Sequence, residues 1–140
     1  MRSGSTAKSA SIDEQEKLLA SASAAAQTAY APYSEFRVGA AVLAGGKIYA
    51  GCNVENASYG LTVCAERVAI FNAISAGHRN IDMIAISCPD ARPDSSPSAC
   101  MPCGACRQVM AEFAARDMSI IVERVGKFCL TDLLPEPFVL

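Results

Sequence analysis

The sequence predicts an α/β fold, a mixed sheet with helices on its faces, and two observations carry that reading. Short β-competent runs alternate with helical patterns in the order α-β-β-α-β-α-β-β. One of those runs, residues 81–88, is apolar almost throughout, like strands buried on both faces of a parallel sheet. The 140 residues suffice for one core and not for two, so a single unit over residues 11–140 is expected.

Ser11 and Glu14 form a capping-box signature, and Leu18, Ala22, Ala25 and Ala29 recur on one face, which predicts a first helix from about residue 12 to 29. Pro32 ends it. Residues 36–44 and 47–54 read as two strands joined by a hairpin turn at Gly45-Gly46. A polar loop, 55–62, leads to a helix over about 63–76 that Gly77 stops. The apolar strand 81–88 follows. Pro89, Pro93 and Pro97 mark a loop up to Met101, after which a helix runs from Cys103 to about Ala115. Residues 119–125 and 128–130 are strands, and 131–134 is one helical turn. Crossovers between parallel strands are right-handed, so both later helices should begin at one sheet edge, by the carboxyl ends of the parallel strands.

Composition narrows the function. Twelve basic residues against fourteen acidic, with a pI near 5.3, leave no electrostatic footprint for a polyanion, so a small uncharged substrate fits better than nucleic acid. No apolar run approaches the roughly 18 residues a membrane span requires. The apolar fraction of 51% suits a small subunit that also buries surface against copies of itself. Seven cysteines are an odd number, and no cleavable leader is expected, since the first ten residues lack an apolar stretch. A secreted disulfide framework is therefore not expected, and a reducing cytoplasm with thiolate ligands is. Residues 1–10 read as a disordered tail.

The chemistry concentrates in Val63-Cys64-Ala65-Glu66-Arg67 and Pro102-Cys103-Gly104-Ala105-Cys106. A catalytic zinc takes three protein ligands and keeps a fourth position open, and Cys64, Cys103 and Cys106 supply three soft thiolates. Cys103 and Cys106 lie at i and i+3, on one helical face. Cys64 and Glu66 are about 200° apart around a helix, so they meet one metal most easily at the helix mouth, with the glutamate beside the open position. There it can serve as general acid and base. Cys100 makes a second C-x-x-C with Cys103 and competes on spacing alone. Cys52, Cys88 and Cys129 lie on strand-like segments and read as core, and His78, just past Gly77, as a surface cap.

A ligand-x-Glu segment followed by P-C-x-x-C is a known signature of zinc-dependent base deaminases. Around it stand Pro32-Tyr33-Ser34-x-Phe36-x-Val38-Gly39-Ala40-Ala41, Asn53-Val54-Glu55-Asn56-Ala57-Ser58-Tyr59 and Leu133-Leu134-Pro135-x-x-Phe138. On these motifs, from about Tyr30 to Phe138, the chain resembles the cytidine deaminases that act on free nucleosides with a three-cysteine zinc site. The resemblance implies a three-layer α-β-α sandwich with a mixed five-stranded sheet, one Zn²⁺ per subunit, and a homotetramer with active sites shared between subunits. It implies deamination of cytidine and 2′-deoxycytidine in pyrimidine salvage. It selects Cys103 and Cys106 through Pro102 and makes Glu66 the catalytic proton carrier. It puts Phe36 on the base, Asn53 and Glu55 on the sugar hydroxyls, and the Ala65 N–H at the pyrimidine carbonyl. Tyr59 and Phe138 become the residues lent by neighbouring subunits, and Arg67 the group that offsets the excess negative charge of three thiolates on zinc. The rival readings are a structural zinc or redox protein, which Cys64-Ala65-Glu66 argues against, and a deaminase acting on an antibiotic, a nucleotide or tRNA, which Asn53-Val54-Glu55-Asn56 and the acidic pI argue against.

Overall fold

A computed structural model describes residues 11–140, so the tail expected over residues 1–10 lies outside the described residues. Ser11 caps helix α1 (Ile12–Ala26): its hydroxyl accepts from the Glu14 N–H at 3.1 Å, and the Glu14 carboxylate accepts from the Ser11 N–H at 3.2 Å. The helix stops before residue 29 because Gln27, Thr28 and Ala29 donate to carbonyls three residues back, a tightening common at helix ends. Strands β1 (Gly39–Ala44) and β2 (Lys47–Cys52) form the hairpin, with Gly45 and Gly46 both at positive φ as a two-residue turn demands. Helix α2 (Ala65–Ser75) closes with the Gly77 N–H on the Ile74 carbonyl and the His78 N–H on the Ala73 carbonyl. Then come β3 (Ile81–Ser87), α3 (Gly104–Phe113), β4 (Ala114–Val122), β5 (Gly126–Cys129) and α4 (Leu130–Leu133).

The sheet order is β2-β1-β3-β4-β5, with β3 and β4 parallel and the other pairs antiparallel. Strand alternation sorts the apolar residues onto two faces. Ala41, Leu43, Met83 and Ala85 pack with Leu18 and Ala22 of α1. Ala40, Val42, Ile84, Ile86 and Ile120 pack on the other side with Ile70 and Ala73 of α2 and Met110 of α3. The result is the expected three-layer sandwich. Both helical layers press close: a Cβ at Gly39 would sit 1.9 Å from the Ala22 carbonyl oxygen, and one at Gly51 2.5 Å from the Ala69 nitrogen.

Several boundary and burial expectations need correction: β1 starts at Gly39 and not at residue 36, and Cys52, expected in the core, is half-buried. The helix expected to reach Ala115 ends at Phe113, and β4 begins at once because Ala114 joins the parallel ladder opposite Ile81; pairing overrides the helix preference of the two alanines. Cys129 is exposed, not core, at the end of edge strand β5. His78 is half-buried rather than a surface cap, its Nε2 2.9 Å from the Tyr49 hydroxyl. Cys88 is buried as expected, yet it is disulfide-bonded to Cys100, a pairing the sequence reading did not make. No helix among the described residues is long and apolar enough to cross a membrane.

Arg37 fastens the approach to β1 onto the exit of β3. Its Nε and Nη2 donate to the two Asp90 oxygens at 2.9 and 2.8 Å, and its backbone N–H donates to Asp90 Oδ2 at 2.8 Å. These bonds hold the Asp90 carboxyl down to about 2. A depressed carboxylate pKa adds stability above the unfolded value near 4, and that stability is lost as pH falls through the folded value. Asp90→Asn should therefore unfold at lower denaturant than the parent at pH 7, with the gap closing by about pH 2. A gap independent of pH would show that the pair contributes nothing through its charge.

Candidate active site

Two helix N-termini build the site. Cys64 is the N-cap of α2 and Cys103 the N-cap of α3, both in extended backbone, and Cys106 lies in the first turn of α3, where its N–H points at the Cys103 sulfur at 3.5 Å. Each helix runs back along the strand that follows it, so its N-terminus reaches the carboxyl end of that strand. Since β3 and β4 are parallel, those ends share one edge. Two further ties fix the ligands there. Val54 and Val63 exchange backbone bonds of 3.0 and 2.9 Å, which pins both ends of the 55–62 loop and delivers Cys64. The Cys88–Cys100 bond holds the chain two residues ahead of Pro102 to the exit of β3.

The sulfurs of Cys64, Cys103 and Cys106 all lie within 4.8 Å of one another, with separations of 4.0 Å for Cys64–Cys103 and 3.5 Å for Cys103–Cys106. Tetrahedral zinc with Zn–S bonds of ~2.3 Å needs sulfurs ~3.8 Å apart, so donor set and spacing both fit zinc. Cys100, tied to Cys88, is out of the competition.

The electrostatics fit thiolate ligation. The Cys64 thiol is brought down to about 5, first by its hydrogen bond with Cys106 and further by Arg67 and Cys103. Cys106 is pushed up by its bond with Cys64 and by burial, so of this pair Cys64 is the favoured thiolate and Cys106 the thiol. Arg67 Nη2 donates to Cys64 Sγ at 3.5 Å, and its pKa is raised by Cys64 first. Two helix dipoles add partial positive charge at the same place.

Glu66 sits in the first turn of α2, 5% exposed, and burial pushes its carboxyl up to about 7. A group poised there gives and takes protons readily near neutral pH. Ala65 is fully buried and heads the helix, where pairing to the fourth residue back begins only with the Val68 N–H on the Cys64 carbonyl, so its own N–H lies ahead of the intrahelical ladder.

The substrate residues divide. Glu55 and Tyr59 line one cavity of about 270 Å³ together with Tyr33, Ser34, Asn56 and Thr62. In it the Glu55 carboxylate accepts from the Tyr33 and Ser34 N–H groups at 3.0 and 3.1 Å and from the Ser34 hydroxyl. Tyr33 and Ser34 stand in the motif around Pro32, which by itself assigns them no role. Asn53 is buried and brackets the chain before β1, its Oδ1 accepting from Val38 N–H at 2.8 Å and its Nδ2 donating to the Phe36 carbonyl at 2.9 Å. Phe36 packs against the α2/α3 core, and Phe138 stands 71% exposed on the C-terminal segment; neither lines that cavity.

Known proteins resemble this chain in sequence and in fold. The family model for the cytidine and deoxycytidylate deaminase zinc-binding region matches residues 12–122. A cytidine deaminase of Sporosarcina psychrophila is 44% identical over 128 residues, 88% of this chain and 90% of its own. The crystal structure of cytidine deaminase from Mycobacterium tuberculosis superposes with a TM-score of 0.77 at 39% identity, covering 91% of this chain and 98% of that one. That from Burkholderia pseudomallei gives 0.73 at 43% identity over 88% and 98%.

Metal analysis of purified variants tests the ligand set. Cys103→Ala should lose bound zinc to background, while Cys100→Ala retains it; the opposite pattern would move the site to the other C-x-x-C.

Proposed function

The chain belongs to the cytidine and deoxycytidylate deaminase family and is a deaminase, and on that premise we propose that it hydrolyses cytidine and 2′-deoxycytidine to uridine and 2′-deoxyuridine, releasing ammonia, in pyrimidine salvage. One observation carries the reading: a buried carboxyl, Glu66, lies two residues from one member of a three-thiol cluster with zinc spacing. A redox or structural zinc protein has no use for that carboxyl.

Cys64, Cys103 and Cys106 hold one zinc ion per chain. When bound, zinc supplies the Lewis acidity that brings the pKa of water toward neutrality. Glu66 takes the proton of the water that attacks C4 and delivers it to N3. It then carries the remaining proton of the added oxygen to the amine, the C4–N bond breaks, and a carbonyl forms at C4. The Ala65 N–H holds the pyrimidine carbonyl, and Phe36 packs on the base. Glu55 and Asn53 take the sugar hydroxyls; the Glu55 cavity supports this for the first, and for the second the Nδ2 hydrogen beyond the one donated to the Phe36 carbonyl. Arg67 keeps the triple-thiolate site near neutral overall. The acting unit spans residues 11–140. Free thiols as metal ligands suit the cytoplasm.

The assembly is a homotetramer in which Tyr59 and Phe138 reach a neighbour's site. Their exposures of 81% and 71% support it, since apolar rings of that size gain by burial against another subunit. Glu66→Gln should keep zinc and lose catalysis by about 10² to 10⁴. Mixed after reversible dissociation with Phe138→Ala subunits, it should regain activity above either parent, because some sites then join an intact Glu66 to a neighbour's intact Phe138. A near-normal kcat for Glu66→Gln removes it from the mechanism, and mixed oligomers with no regain, or an active monomer, remove the shared site.

A further inference from the structure

The chain after α4 forms neither strand nor helix, yet consecutive residues of α3 grip it at both ends. Arg107 donates through Nε to the Pro102 carbonyl and through Nη1 to the Leu133 carbonyl, each at 2.8 Å. Gln108 uses both ends of its carboxamide on one residue: Nε2 donates to the Phe138 carbonyl at 3.0 Å, and Oε1 accepts from the Phe138 N–H at 3.2 Å. Between these anchors, Pro135 and Pro137 fix two φ angles and lack N–H donors, so the segment has few ways to bend and few bonds of its own. Phe138, Val139 and Leu140 are all exposed, so no apolar packing of these side chains within the subunit fixes the end of the chain.

The chemistry of the grip is specific. A carboxamide offers one donor and one acceptor side by side, the complement of a residue's own N–H and C=O. A carboxylate offers only acceptors and would face the Phe138 carbonyl with like charge. An alanine offers nothing.

We propose that Gln108 is a positioning residue that sets Phe138 for its neighbour: α3, which carries Cys103 and Cys106 at its start, also fixes the direction in which the tail presents its ring. The inference rests on the reading that Phe138 completes another subunit's site. It adds that the ring's placement depends on a polar clamp from the metal helix of its own subunit.

The test compares zinc-loaded tetramers of the parent, Gln108→Ala, Gln108→Glu, Phe138→Ala and the Gln108→Ala/Phe138→Ala double variant on cytidine. Losing two neutral hydrogen bonds should lower kcat/KM roughly tenfold in Gln108→Ala, mostly through KM. Gln108→Glu, equal in size, should not rescue it, and in the Phe138→Ala background the alanine at 108 should cost nothing more. Hydrogen exchange should quicken at the Phe138 amide in Gln108→Ala while the Leu134 amide, bonded to Leu130, stays protected. Rescue by Glu, or a loss that adds in full to that of Phe138→Ala, would make Gln108 a packing residue and overturn the proposal. If Phe138→Ala is impaired and Gln108→Ala is not, only the clamp falls. If Phe138→Ala is itself unimpaired, the shared-site reading falls and the clamp with it.

Discussion

The structure depends on one constraint: two helix N-termini must open at the same sheet edge, close enough for three sulfurs to share one ion. A parallel pair of strands, each preceded by a helix packed on the same face, meets it, and β3 and β4 are the parallel pair in the sheet. The N-cap positions then do double duty. At Cys64 and Cys103 the extended backbone that starts each helix also aims a sulfur at the junction, and the helix dipoles there favour negative charge. Glu66 inherits its burial from the same placement, and burial shifts its carboxyl toward neutral pH. The nucleophile activation and proton transfer proposed for this site thus both trace to where two helices begin.

Much of this was legible in the residues. The capping box at Ser11 and Glu14, the Gly45-Gly46 turn and the Gly77 stop are local signals, and each formed where the sequence put it. Cys64 and Glu66 were legible in their ligand-x-Glu spacing, whereas spacing alone left Cys100 as a rival of Cys106 and only the resemblance at Pro102 separated them; the fold gathers Cys64, Cys103 and Cys106. What local signals could not carry was long-range pairing. Ala114 and Ala115 look helical until Ile81 is brought alongside, and Phe36 to Val38 look like strand until the Asn53 side chain takes their backbone groups. The Cys88–Cys100 bond escaped for the same reason: the partners lie twelve positions apart across a proline-rich loop, and only the fold closes it.

The substrate side is organised less by metal chemistry than by loops that brace one another. Glu55 holds the backbone of Tyr33 and Ser34, and Asn53 holds the chain entering β1, so both polar residues structure the cleft they are proposed to serve. A carboxylate already fixed by backbone donors would lose little freedom on meeting the proposed sugar hydroxyl, which is preorganisation by the fold. Gln108 extends the same logic to the chain end, where a side-chain amide does the work that packing does elsewhere.

The central claim is that the cluster and its carboxyl deaminate a free pyrimidine nucleoside. It is tested most directly by following ultraviolet absorbance and ammonia with zinc-loaded protein on cytidine, 2′-deoxycytidine, cytosine and CMP side by side. The account predicts turnover of both nucleosides with one ammonia released per substrate consumed, and little with the free base or the nucleotide. Preferred turnover of CMP, or no ammonia from any of the four by protein that holds its zinc, would contradict it.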